Sequence, residues 1–274
     1  MKRCLAICAL VALCSAAVRA DVTVTTETTI DGPAAAMMGG AMPRMIMRIR
    51  GTKARTDIEV MGQSISTITD LTTRQVIVLT PSQKTAQVFD AARLDAQATS
   101  MPAMPKLDVA FEPSGRTQMI GGQPCDQFTF SMSLDMSQMG TLAPLPKEAL
   151  EMLKDAKMVT KGVVWVAKGA PGAAEYAAYV KAAAAANLLS APGTTAGLGP
   201  AQGSLDQAMR LFLRAEGIAY LSEADVSLEG TAPIIELIRQ LATMKMTNKV
   251  TDVSVMPIAD DLFNMPADYT VAKP

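Results

Sequence analysis

Histidine is absent from this 274-residue chain. That removes the usual base of Ser and Cys hydrolases, the commonest transition-metal ligand and the commonest general acid/base near neutral pH. An excess of charge of one sign is missing too: 25 Lys and Arg stand against 26 Asp and Glu. A uniform polyelectrolyte role toward nucleic acid or anionic lipid therefore has no compositional support, and no nucleic-acid partner is expected. Aromatics make up only 4% of the chain, and no Gly-x-Ser-x-Gly elbow, phosphate loop or dinucleotide fingerprint occurs. The reading is of a protein that is not an enzyme and carries no cofactor. What the chain does have is apolar content, 49% hydrophobic against 19% charged, enough for a core and too much for disorder.

The first twenty residues predict the compartment. Lys2 and Arg3 precede an uncharged apolar stretch from residue 4 to 17, and Val18-Arg19-Ala20 places small residues where a signal peptidase reads. Roughly 14 apolar residues fall short of the ~20 needed to span a bilayer, so residues 1–20 are read as a cleavable signal peptide. The mature chain then starts near Asp21, is periplasmic or secreted, and has no stable membrane insertion. Three of the four cysteines, at positions 4, 8 and 14, belong to that segment. Cys125 is left without an intramolecular partner and is read as a small buried side chain.

From Asp21 to about residue 135 apolar residues recur with period two between turn signals, the pattern of an antiparallel meander. Val22-Thr23-Val24-Thr25 opens it. Met45, Met47 and Ile49 alternate with arginines over 44–50, Gly51-Thr52-Lys53 reads as a turn, and strands are expected at 55–60, 64–70, 74–80 and 84–89. Val76 to Leu79 is an unbroken apolar run, which implies burial on both faces. Phe128, Phe130, Met132 and Leu134 alternate with Thr129, Ser131 and Ser133, giving one apolar and one hydroxyl-lined face.

Beyond residue 135 the periods mix. Helices are expected at Pro146–Lys157, Ala173–Leu189 and Leu205–Glu216, the last stopped by Gly217, with strands at 158–167, 218–228 and 246–255. Residues 190–203, rich in Gly, Pro, Ala and Thr, read as a flexible loop. With no fixed-period repeat, residues 21–274 are taken as a single domain. The fold class is α+β: a large curved antiparallel sheet, a half-open barrel, covered by two or three helices.

Several short stretches carry a family resemblance: Arg55-Thr56-Asp57-Ile58, Thr80-Pro81, Gly122-Gln123-Pro124-Cys125, Val164-Trp165-Val166 followed by Pro171 and Glu175-Tyr176, and Phe263 to Tyr269. In that order they resemble the secreted bacterial family known as domain of unknown function 4412. That family in turn is similar to the periplasmic lipoprotein carriers LolA and LolB, which implies a half-open antiparallel barrel capped by helices around a lipid-binding cavity.

The sequence therefore points to a binding protein for a lipid or other hydrophobic ligand, its cavity lined by Met45, Met47, Ile49, Phe128, Phe130, Met132 and Leu134. Burying about ten methylenes at ~0.8 kcal/mol each supplies micromolar binding before association costs, so no polar motif is required. An alternative rests on the 20 methionines. Thioether sulfur is a soft ligand for Cu(I), and Met37, Met38 and Met42 lie in a Gly-rich stretch able to wrap an ion. A third reading is an envelope structural or interaction module with a filled core. The acidic pairs Asp260-Asp261 and Glu223 with Asp225 are read as solvated turn residues, and Trp165, Tyr176 and Tyr179 as packing residues.

Overall fold

A computed structural model describes residues 21–33, 43–60, 62–90, 107–137, 151, 153–189, 210–231, 235 and 243–272. Twelve strands form one sheet in the order β12-β6-β5-β4-β3-β2-β1-β11-β10-β9-β8-β7. They are β1 (Val22–Asp31), β2 (Arg44–Arg50), β3 (Lys53–Val60), β4 (Gln63–Asp70), β5 (Gln75–Thr80), β6 (Thr85–Asp90), β7 (Leu107–Ile120), β8 (Gln123–Asp135), β9 (Lys157–Ala167), β10 (Ile218–Glu229), β11 (Met244–Ser254) and β12 (Thr270–Val271). Every pairing is antiparallel except the short parallel contact of β12 with β6. The α+β half-open sheet expected from the sequence is the observed fold.

Local chemistry explains the turns. Arg50 opposes Lys53 and Ile120 opposes Gln123, so each hairpin closes on two residues. Gly51 (φ 58°) starts the first, and Gly121 and Gly122 (φ 58° and 76°) form the second, where a side chain on L residues would be strained. β1 is rich in Val and Thr, suited to a pleated surface, and it sits mid-sheet between β2 and β11.

The meander expectation locates β2 to β6 to within two residues, and adds nothing at 107–120, where the longest strand lies. Pro113 lies inside that strand, where a proline cannot donate to the ladder. It is accommodated because β7 is an edge and the register shifts between Pro113 and Thr117, with Ser114 Oγ donating to Gln127 Oε1 at 2.8 Å inside the bulge.

One face of the sheet carries the helix α1 (Ala173–Ala185). Tyr179, Val180 and Ala183 of α1 pack into a cluster with Val22, Val24, Ile49, Ala54, Ile218, Tyr220 and Val250. The expected helix over 205–216 is described from Arg210: a helical turn through Phe212, then a 3₁₀ turn at Leu213–Ala215. Its stop is not Gly217. Glu216 itself takes the left-handed conformation (φ 50°), whereas Gly217 is required by close approach, a Cβ there meeting the Ala167 carbonyl oxygen at 2.6 Å. The helix expected to reach Lys157 ends earlier, because β9 begins at Lys157. Residues 1–20, expected to form a signal peptide, and the expected loop 190–203 lie outside the described residues.

The opposite face of β3–β6 is covered by the C-terminal segment. Ile68, Ile77, Leu79 and Ala86 pack against Met265 and Tyr269. Val76, Val78 and Phe89, pointing the other way, meet Ala186 and Leu188 just past α1. The two-sided burial implied by the apolar run in β5 is thus supplied by two different parts of the chain.

Candidate functional site

The seven residues proposed as a lining fall in two groups. On β2, Met45, Met47 and Ile49 stand opposite Ile58, Thr56 and Ala54 of β3. Ile49 is fully buried in the α1 cluster and Met47 packs against it. On β8, Phe128, Phe130, Met132 and Leu134 stand opposite Val164, Gly162, Thr160 and Met158 of β9. The first group lies under α1 and the second under residues 212–215, and Arg210 ties these covers together by donating to the Ala184 carbonyl at 3.1 Å.

The β8 group belongs to a wider apolar surface that the strand register assembles. Phe111, Phe130, Gly162, Ala224, Met246 and Ile30 oppose one another in sequence across β7, β8, β9, β10, β11 and β1. The next rung runs Val109, Met132, Thr160, Val226, Met244. Directly opposed residues share a face, so this is one continuous surface. Its methionines are half-buried and conformationally adaptable. The other face of the same strands is charged at one end, where Lys161 pairs with Glu229 at 3.9 Å and Lys245 with Glu223 at 3.4 Å, and buries Cys125, Trp165 and Ala167 in the α1 cluster at the other.

Aromatic packing orders one corner of the apolar face. Phe111 stacks on Phe128 at 4.9 Å between centroids, and Phe212 meets Phe111 and Phe130 edge-on at 4.8 and 5.4 Å. Phe130 also lies over Gly162, where a Cβ would come within 2.8 Å of its ring and 2.1 Å of the Glu223 carbonyl oxygen. A glycine opposite an aromatic on a neighbouring strand is covered by the ring, which shields the bare backbone from water. Neither Phe212 nor Gly162 is among the lining residues proposed from sequence. Phe212 carried a detectable signal in its helical spacing; the Gly162–Phe130 pairing depends on register and carried none.

None of the seven proposed residues lines either of the two open pockets found among the described residues. The larger, a groove of about 410 Å³, has Lys181, Ala184 and Ala185 of α1 on one side and Arg210, Leu213, Arg214 and Glu216 on the other. The smaller, about 150 Å³, lies between β3–β5 and the C-terminal segment, with Lys53, Asp70, Gln75, Phe263 and Met265 among its walls.

The remaining candidates resolve into packing or ion pairing. Trp165 is buried in the α1 cluster. Burial pushes the hydroxyls of Tyr176 and Tyr179 above the ordinary tyrosine range, in Tyr179 against an opposing hydrogen bond with Thr69. Cys125 is buried, its thiol raised by desolvation. Asp260 pairs with Arg50 at 2.5 Å and Glu223 with Lys245, so neither acidic pair forms an isolated catalytic couple. The Cu(I) candidates Met37, Met38 and Met42 lie outside the described residues. Among the described residues no helix is long and apolar enough to cross a membrane.

No protein-family model and no curated protein matches the chain. Among solved structures, the lipoprotein LppX of Mycobacterium tuberculosis is similar over 86% of this chain and 88% of that one, at 10% identity and a TM-score of 0.31. That distance carries no residue role across.

Proposed function

We propose that the protein is a non-enzymatic binding protein of the periplasm or extracellular space that holds a hydrophobic ligand, a lipid or acyl chain, against the apolar face of β7–β11. The observation that carries this reading is the register-built ladder Phe111–Phe130–Gly162–Ala224–Met246–Ile30 with the half-buried Met132 and Met244 on the next rung. Apolar contact alone supports useful affinity for a chain of about ten methylenes, which is consistent with a chain that lacks catalytic motifs.

Native mass spectrometry of the mature protein isolated from its own cell envelope, followed by organic extraction, tests the reading. A co-purifying lipid mass is expected. It should be lost in a Met132→Glu, Met246→Glu double variant whose circular dichroism is unchanged, since both side chains are half-buried and tolerate replacement better than Phe130. A bare polypeptide mass, or lipid retained equally by the variant, would sink it.

A further inference from the structure

The segment from Arg210 to Glu216 faces two ways. Its turns are helical, so residues three or four apart share a side. Phe212 and Ala215 lie together against Phe111, Phe128, Phe130 and Val164. Arg210, Leu213 and Arg214 share the other side and form one wall of the 410 Å³ groove, with Lys181 of α1 opposite. A single seven-residue piece of chain thus joins a cationic groove to the apolar face.

Among the described residues, Lys181, Arg210 and Arg214 line that groove together with one carboxylate, Glu216. Arg210 is fixed, donating to the Ala184 carbonyl at 3.1 Å and to Asn187 Oδ1 at 2.9 Å. It thereby offsets the negative carbonyl end of α1, which would otherwise repel an anion. Lys181 and Arg214 have no hydrogen-bond or ion-pair partner among the described residues. The volume falls within the roughly 300–1,000 Å³ usual for small-molecule sites. Leu213, Ala184 and Ala185 give it an apolar floor continuous with the packing around α1.

We propose that this groove is the headgroup site of an amphiphile bearing a phosphate or carboxylate, the anion held among Lys181, Arg210 and Arg214 while the chain lies on the aromatic face beyond Phe212. The inference rests on the apolar-ligand reading and specifies the ligand class: anionic single-headed amphiphiles rather than neutral lipids. Held by charge at a solvent-open rim, the headgroup contribution weakens as salt rises.

Titration calorimetry of the mature chain, with each amphiphile kept below its micellar concentration, separates the possibilities. The probes are dodecyl phosphate, uncharged dodecyl glucoside and inorganic phosphate, and the variant is Lys181→Ala, Arg214→Ala, two exposed positions whose change leaves the fold intact by circular dichroism. Dodecyl phosphate affinity should fall roughly tenfold in the variant and in high salt, with dodecyl glucoside unaffected. Equal binding of dodecyl phosphate by wild type and variant would overturn the headgroup site while leaving the apolar-ligand reading standing. Binding of neither dodecyl probe would sink that reading and this one with it. Inorganic phosphate binding as tightly as dodecyl phosphate would make the groove a free-anion site and overturn the amphiphile.

Discussion

The two halves of the sheet are built on different terms. Strands β3–β6 are covered on both faces, by the end of α1 and the residues after it on one side and by the C-terminal segment on the other. Strands β7–β11 have one continuous apolar face, while the other buries Cys125, Trp165 and Ala167 in the α1 cluster at one end and carries Lys161, Glu223, Glu229 and Lys245 at the other. The patterns say as much: β5 reads Val-Ile-Val-Leu without a break, whereas β8 alternates Phe128, Phe130, Met132 and Leu134 with Thr129, Ser131 and Ser133. Hydrophobic periodicity reports how many faces of a strand are covered. Among the described residues the apolar face of the second half is covered only in part, by residues 212–215 over Phe128 and Val164.

Matched truncations test that difference most severely. Leu79 is 1% exposed in the two-sided half and Leu134 is 8% exposed in the one-sided half. Leu79→Ala is expected to cost about 3–5 kcal/mol, because both sheet and C-terminal segment hold the cavity open, and Leu134→Ala about 2–3 kcal/mol, because half-buried methionines nearby can relax into the space. Urea midpoints of the two variants measure the order. Equal or inverted costs would mean that the second half is packed as tightly as the first, which would leave little room for a ligand.

A smaller effect probes how the C-terminal segment is held. Asp57 accepts from Arg48, from Arg55 Nε at 2.8 Å and from Ser66 Oγ at 2.5 Å, and Arg55 passes the hold on by donating to the Leu262 carbonyl at 3.2 Å. Arg50 does the same at the Ile258 carbonyl, 2.8 Å away, and the Ile258 amide donates to Asp21 Oδ2 at 2.7 Å. Asp57→Asn leaves two partly buried guanidiniums without their charge partner. It should cost about 1–3 kcal/mol, seen as a lower urea midpoint, and should speed amide exchange at 258–265 while leaving β8 and β9 protected. Exchange that speeds equally in both halves would deny that the clamp is local.

How much of this was legible depends on what kind of signal each element carries. The strands β2–β4, β6 and β8 announce themselves through side-chain alternation, and α1 through Tyr176, Tyr179 and Val180 at helical spacing. The two-sided burial of β5 follows from its apolar run, although which segments cover it does not. The edge strand β7 was hidden by Pro113 and its bulge, even though Leu107, Val109 and Phe111 alternate with Asp108, Ala110 and Glu112. The C-terminal segment was illegible for a different reason: arginines hold it largely through its backbone carbonyls, which every residue type possesses. The cationic groove depends on Lys181 and Arg210 meeting across about thirty positions, a proximity no local pattern encodes.

The smallest expected effect sits at the far edge, where β12 pairs with β6. Lys84 Nζ lies 2.8 Å from Asp268 Oδ2, both side chains being more than half exposed. Hydrogen bonding to Lys84 holds the Asp268 carboxyl below its ordinary range, and the same bond raises the Lys84 ammonium. A carboxyl depressed by folding stabilises the fold above its unfolded value, and the contribution fades as pH falls through the folded value. An ammonium raised by folding contributes fully below its unfolded value and loses the contribution as pH rises through the folded one. The difference in urea midpoint between wild type and Asp268→Asn should therefore be small and flat from about pH 5 to 9, and shrink on the acid side below about pH 4 and on the alkaline side above about pH 10. Molar salt should erase it at any pH, because the pair is exposed. A difference undiminished both at pH 3 and in molar salt would show that Asp268 acts on this edge through the backbone of the closing turn rather than through charge. The last strand of the first half would then be held without charge, unlike the ion-paired Asp57 clamp.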